Sequence, residues 1–145
     1  MPKAKKNSRT VDLYKKLNDS RDIAEIWKEV YDEMDAPEFH EYLAQLMSEH
    51  DTDAAKLGVD ILLSRSYMYQ ICSGERMPGR DIVLRIALVI GLSLDEIQRL
   101  LTLANRGILY PKKKRDALFI YALTNRYTLY QTDELFTRYG QEPLL

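Results

Sequence analysis

The sequence predicts an all-α fold, and three observations carry that prediction. Apolar residues recur at helical spacing through most of the 145 residues. Glycine and proline are scarce, six and five, and most stand between the periodic runs, where they punctuate rather than interrupt. Helix-start signatures precede apolar runs. In Ser93-Leu94-Asp95-Glu96 and again in Thr128-Leu129-Tyr130-Gln131, a hydroxyl and a carboxylate or amide three residues apart can close reciprocal bonds to the backbone.

The elements follow in order. Residues 1–9 hold Lys3, Lys5, Lys6 and Arg9 with no acid and little to bury, and read as a disordered basic arm. A helix is expected from Thr10, carrying Val11, Leu13, Tyr14 and Leu17, and stopping at Asn18-Asp19. Ser20 is placed as the cap of a second helix with Ile23, Ile26, Trp27, Val30, Tyr31 and Met34 on one face. Asp35-Ala36-Pro37 breaks it, because the residue before a proline is pushed out of the helical region. Phe39, Tyr42, Leu43, Leu46 and Met47 restart the period as far as His50-Asp51. Short helices are expected over 53–61 and 64–72, the second ended by Gly74 in the left-handed conformation. Residues 81–90 are apolar on nearly every side, the mark of a centrally buried helix, and Gly91 ends it. The Ser93 cap then launches a helix through Ile97, Leu100, Leu101 and Ala104. Trp27 and the ten tyrosines are read mainly as core.

Composition narrows the class of protein. A single cysteine, Cys72, builds neither an internal disulfide nor a zinc site, so it reads as a small buried hydrophobe in a reducing, cytoplasmic setting. No run approaches the roughly 18 apolar residues that span a bilayer. His40 and His50 stand apart from any cysteine, and no glycine-rich phosphate loop or nucleophile–base pairing occurs. No metal, cofactor or enzymatic activity is therefore expected. The net charge is −1, but the signs are segregated. Residues 19–53 carry twelve acids against Arg21 and Lys28, a local balance of −10. Residues 106–115 hold Arg106, Lys112, Lys113, Lys114 and Arg115 with one position, 111, a proline, and no acid.

A shift of 35 residues superimposes Arg80-Asp81 on Arg115-Asp116, Ala87-Leu88 on Ala122-Leu123, Leu94 on Leu129, Leu100 on Leu135 and Thr102 on Thr137. With the two capping boxes in the same register, a helix–turn–capped-helix unit is expected twice, stacked to share a core.

The segment from about residue 39 to 104 resembles the phage-repressor (Xre) helix-turn-helix family. The resemblance rests on Phe39-x-x-Tyr42-Leu43, on Ser64-Arg65-Ser66-Tyr67-x-Tyr69-Gln70-Ile71, on Ser73-Gly74-Glu75-Arg76-x-Pro78, and on Gly91-Leu92-Ser93-Leu94-Asp95-Glu96. The flanking Tyr110-Pro111 and Arg115-Asp116-Ala117 resemble a bacterial subset with an extra C-terminal helical unit. The resemblance implies a lambda-repressor-like five-helix domain over 37–106. Around it stand the arm at 1–9, N-terminal helices at 10–36 and a C-terminal repeat at 107–145.

It also implies a sequence-specific transcription regulator that binds double-stranded DNA, usually as a homodimer. A recognition helix enters the major groove by its N-terminal end. Arg65 suits guanine O6 and N7, Ser66 either base, Gln70 adenine, and Tyr69 a thymine methyl or the backbone. Thr52, Ser64, Tyr67, Arg76 and Arg80 are the candidate phosphate contacts, which set register without reading sequence. The sequence departs from the family where Leu62 replaces the glycine of the turn and Gly58 falls within the second helix. That leaves open a helix that ends early, with 59–63 as an unusual turn. Arg65 and Gln70 would also be ordinary on a solvated face, and Tyr67 and Tyr69 suit packing equally well. The competing reading is a protein–protein adaptor on the same scaffold, which the acid-rich 19–53 segment and near-neutral total favour.

Overall fold

Nine helices and no strand are present among the described residues, 11–31 and 35–145, of this computed structural model. The all-α expectation is met. The chain divides into the units Met1–Ala36 and Pro37–Leu145. The first contains α1 (residues 11–17) and α2 (Ile23–Val30). The second contains α3 (Phe39–Glu49), α4 (Ala54–Asp60), α5 (Arg65–Ser73), α6 (Arg80–Ile90), α7 (Leu94–Leu103), α8 (Lys114–Thr124) and α9 (Leu129–Arg138). The basic arm at 1–9, Thr10 and Met34 lie outside the described residues.

In the N-terminal unit, Asp22 rather than Ser20 caps α2, accepting the Ala24 N–H at 3.4 Å. The reason is local. The Arg21 side chain is held by Asp19 at 2.9 Å and Glu29 at 2.7 Å, so the chain stays out of helical conformation until Asp22. Of the apolar face expected on α2, Ile26 and Val30 are buried while Ile23, Trp27 and Tyr31 are exposed.

Helix ends organise the larger unit. Each of α3 to α9 is followed by a residue at positive φ: Asp51, Leu62, Gly74, Gly91, Asn105, Arg126 and Gly140. The left-handed residue turns the chain so that the next N–H reaches back to an orphan carbonyl. Leu63 donates to the Gly58 carbonyl at 2.8 Å, and Leu92 to that of Ala87 at 3.0 Å. Both expected capping boxes form, Ser93 with Glu96 and Thr128 with Gln131.

One continuous core joins α3 through α9, from Phe39, Leu43 and Leu46 through Leu57, Met68, Ile71, Leu84, Ile86 and Leu100 to Phe119, Phe136 and Leu144. No residue of α6 is exposed, so it is the central helix that its all-round apolar pattern implies. The tyrosines are a different matter. Of the ten, Tyr42 is buried, Tyr67 and Tyr127 are half-buried, and the other seven are exposed. Leucine, isoleucine and phenylalanine fill the space between these short helices, and the phenol oxygen keeps tyrosine at the wet edge.

The repeat is reproduced in three dimensions. Helices α7 and α9 are offset by the same 35 residues at both ends. Arg80 donates to the carbonyls of Gly107 (2.8 Å) and Ile108 (3.1 Å), and Arg115 to those of Glu142 (3.0 Å) and Pro143 (3.1 Å). The Leu109 N–H is accepted by Gln98 at 2.7 Å, and the Leu144 N–H by Asp133 at 2.8 Å. Between the two repeats the ion pairs cross over. Arg80 forks onto Asp116 at 2.9 and 3.0 Å, and Arg115 onto Asp81 at 2.8 and 3.1 Å. Residue i meeting j while j meets i is the pattern of a twofold contact. The two repeats within the larger unit therefore face each other about a local pseudo-twofold.

Candidate nucleic-acid interface

Helices α4 and α5 are joined by the turn at 61–64, and the local sequence explains how they fit. A Cβ on Gly58 would lie 3.1 Å from Cβ and 3.2 Å from Cγ of Met68. Glycine within α4 costs about 1 kcal/mol of helix propensity relative to alanine. In return it lets α5 approach closely. The helix continues through Gly58 to Asp60, so the turn begins at Ile61. Leu62 then takes the left-handed conformation at φ 62°, where glycine would be unstrained, with its side chain exposed.

Helix α5 begins at its cap, where the Ser64 hydroxyl oxygen accepts the Tyr67 N–H at 3.2 Å. Its hydroxyl proton can still donate outward. Met68 and Ile71 anchor the inner face in the core. Arg65, Ser66 and Tyr69 stand exposed on the outer face and Gln70 half-buried beside them. The Arg65 guanidinium rests over the Tyr69 ring, 5.5 Å from its centroid. At the other end Arg76 lies over the half-buried Tyr67 ring at 5.1 Å. Gly74, at φ 87°, ends the helix against His40, whose Nδ1 would lie 2.7 Å from an added Cβ. Two forked cations are thus held on aromatic faces, one at each end of the exposed surface. A cation–π contact of this kind contributes roughly 0.5–1 kcal/mol when exposed, enough to bias a rotamer.

The remaining candidate residues are placed differently. Arg80 is fully engaged, with its guanidinium shared between Asp116 and two carbonyls. It cannot turn toward a phosphate without breaking those bonds. Thr52 stands half-buried just before α4, next to Asp53, whose carboxylate accepts the Lys56 N–H at 2.8 Å and so occupies that helix end with negative charge. Thr52 also lines a hollow of about 400 Å³ with His40, Met47, Ala54 and Cys72. Burial pushes the Cys72 thiol above its ordinary value.

The local charge is balanced. Residues 52–79 carry Lys56, Arg65 and Arg76 and, in equal number, Asp53, Asp60 and Glu75. Two structural roles were hidden at the level of sequence: Tyr69 as the support of Arg65, and Gly58 as the point of helix contact. The 35-residue register places an Arg-Asp dipeptide at both starts, but the crossing of Arg80 onto Asp116 is set by the tertiary fold. No family model, curated protein or solved structure matches the chain.

Proposed function

We propose that this protein is a sequence-specific, DNA-binding transcription regulator of lambda-repressor-like helix-turn-helix type, acting in the cytoplasm without catalysis or cofactor. The reading rests on one observation above all. The N-terminal half of α5 projects Arg65, Ser66 and Tyr69 from a helix anchored by Met68 and Ile71, directly after a tight turn from α4. A helix presented in this way can enter the major groove end-on. In the proposed complex Arg65 reads guanine, while Ser66, Tyr69 and Gln70 take neighbouring positions. Ser64, Tyr67 and Arg76 hold phosphates, with Thr52 at the edge. Arg80 is left out of this set, because its guanidinium serves Asp116.

The test is selection of bound fragments from random duplex DNA, followed by titration of the winner. A specific site is expected, with Arg65→Ala losing about 1–3 kcal/mol and relaxing preference at one base pair. Because few cations face the DNA, the salt dependence should be shallow, in proportion to the few phosphates neutralised. Equal weak binding to every duplex, unchanged in Arg65→Ala, overturns the proposal. The balanced charge around α5 favours the second reading, a protein-binding adaptor, which gains if a protein partner is retained by Arg65→Ala and Gln70→Ala.

A further inference from the structure

The crossed ion pairs tie α6 to α8 at their N-terminal ends. Their C-terminal ends instead border a hollow of about 590 Å³, to which α6 gives Leu88, Val89 and Ile90 and α8 gives Ile120, Leu123 and Thr124. That volume is ample for a small molecule. The five aliphatic side chains are half-buried, so each is packed on the core yet keeps surface for a further contact. No aromatic ring lines the hollow.

Two charged residues stand at it, Glu96 and Arg126. The Glu96 carboxylate accepts the Ser93 N–H at 3.0 Å and closes the cap of α7. Arg126 is exposed and, among the described residues, belongs to no ion pair. The repeat shows that the turn does not require an arginine there. The Leu92 N–H donates to the Ala87 carbonyl at 3.0 Å, and 35 residues on the Tyr127 N–H donates to that of Ala122 at 2.9 Å. Gly91 and Arg126 therefore hold the same place, at φ 81° and 55°. Glycine takes that conformation without strain and arginine does not. The first repeat ends its helix with the residue the backbone favours, and the second ends it with a cation at the edge of the hollow.

We propose that this hollow binds an aliphatic carboxylate, its chain against Leu88, Ile120 and Leu123 and its carboxylate on the Arg126 guanidinium. Saturated walls without a ring suit an alkyl chain. One guanidinium forks onto one carboxylate. A polyanion would be left uncompensated, with Glu96 opposing it. The negative ends of the α6 and α8 dipoles also lie here, so an anion depends on Arg126 to be held at all. The site goes beyond the DNA-binding reading and is measured without DNA, so the two fail separately.

The experiment is calorimetric titration of the full chain with decanoate, below the concentration at which it forms micelles. Saturable, single-site binding is expected. Acetate, which lacks the chain, and n-decanol, which lacks the charge, should bind far more weakly. Arg126→Gly should melt no lower than the wild type, because glycine relieves the turn, and yet bind decanoate about tenfold more weakly. Arg126→Lys keeps the charge without the fork and should fall between the two. Absence of saturable decanoate binding overturns the proposal, as does undiminished binding by Arg126→Gly, or decanol binding as well as decanoate.

Discussion

Asp116 and Asp81 occupy equivalent places in the repeat and each accepts an arginine fork, yet burial makes them unequal. The Asp116 side chain is 4% exposed, that of Asp81 44%. Burial by itself would push the Asp116 carboxyl up. The Arg80 hydrogen bonds and the Tyr110 N–H outweigh it, and the group titrates below its ordinary value. Removing one partner of a buried pair strands the other, at a cost of about 3 kcal/mol, whereas an exposed pair contributes about 1 kcal/mol or less. Asp116→Asn should therefore lower the urea midpoint clearly more than Asp81→Asn does. Its effect should also depend on pH. A carboxyl whose folded pKa is depressed adds stability above its unfolded value, near 4, and loses it as pH falls through the folded value. The gap in midpoint between wild type and Asp116→Asn should be constant from neutral pH down to about 5 and close below about 4.

At the scale of elements, the α4–turn–α5 pair carries two opposite glycine choices. Gly58 is glycine where the backbone conformation would accept any residue, because Met68 is too close. Leu62 is not glycine where the conformation asks for one. Gly58→Ala should gain about 1 kcal/mol of propensity and lose more than that to overpacking, since the Met68 Cβ is fixed to the α5 backbone. A net loss of about 1 kcal/mol is expected by thermal unfolding, and Met68→Ala in the Gly58→Ala background should cost less than Met68→Ala alone. Leu62→Gly should stabilise by about 1 kcal/mol, because the left-handed strain exceeds the added chain entropy and the Leu62 side chain is half in water. Helix positions were legible at this scale from the apolar period and caps alone. The segments expected at 64–72 and 81–90 are Arg65–Ser73 and Arg80–Ile90. The start of α2 was not legible, because the contact that delays it joins Arg21 to Glu29, eight residues away.

For the larger unit as a whole, the C-terminal repeat is structural support rather than an appendage. Phe119, Phe136 and Leu144 belong to the same core as Phe39 and Met68. Arg85 of the central helix donates to the Leu144 carbonyl at 3.0 Å and to that of Ile61, at the α4–α5 turn, at 3.3 Å. A chain ending at Tyr110 would leave Arg80 without its carboxylate and expose the surface that Phe119 and Phe136 cover. Such a truncation should keep much of its far-ultraviolet helical signal and lose its cooperative melting transition, the behaviour of a collapsed but unpacked state. A sharp transition like that of the full chain would show instead that residues 37–110 stand alone.

The sequence by itself determined the all-α class, the helix order, the caps and the existence of the repeat, because each depends on residues within about four positions or on a register that recurs in the chain. It also marked the outer face of α5 as the candidate site. Only the tertiary structure decided which candidates stay available, for burial and pairing are set by residues distant in sequence. Arg80 is withdrawn by a carboxylate 36 residues on, and Tyr69 is revealed as the ring beneath Arg65. Most tyrosines lie at the surface because other side chains reach the core first. The pairing of the two repeats about a pseudo-twofold was likewise invisible beforehand. It is held by backbone carbonyls at Gly107, Ile108, Glu142 and Pro143, and a carbonyl accepts the same bond whatever side chain its residue carries.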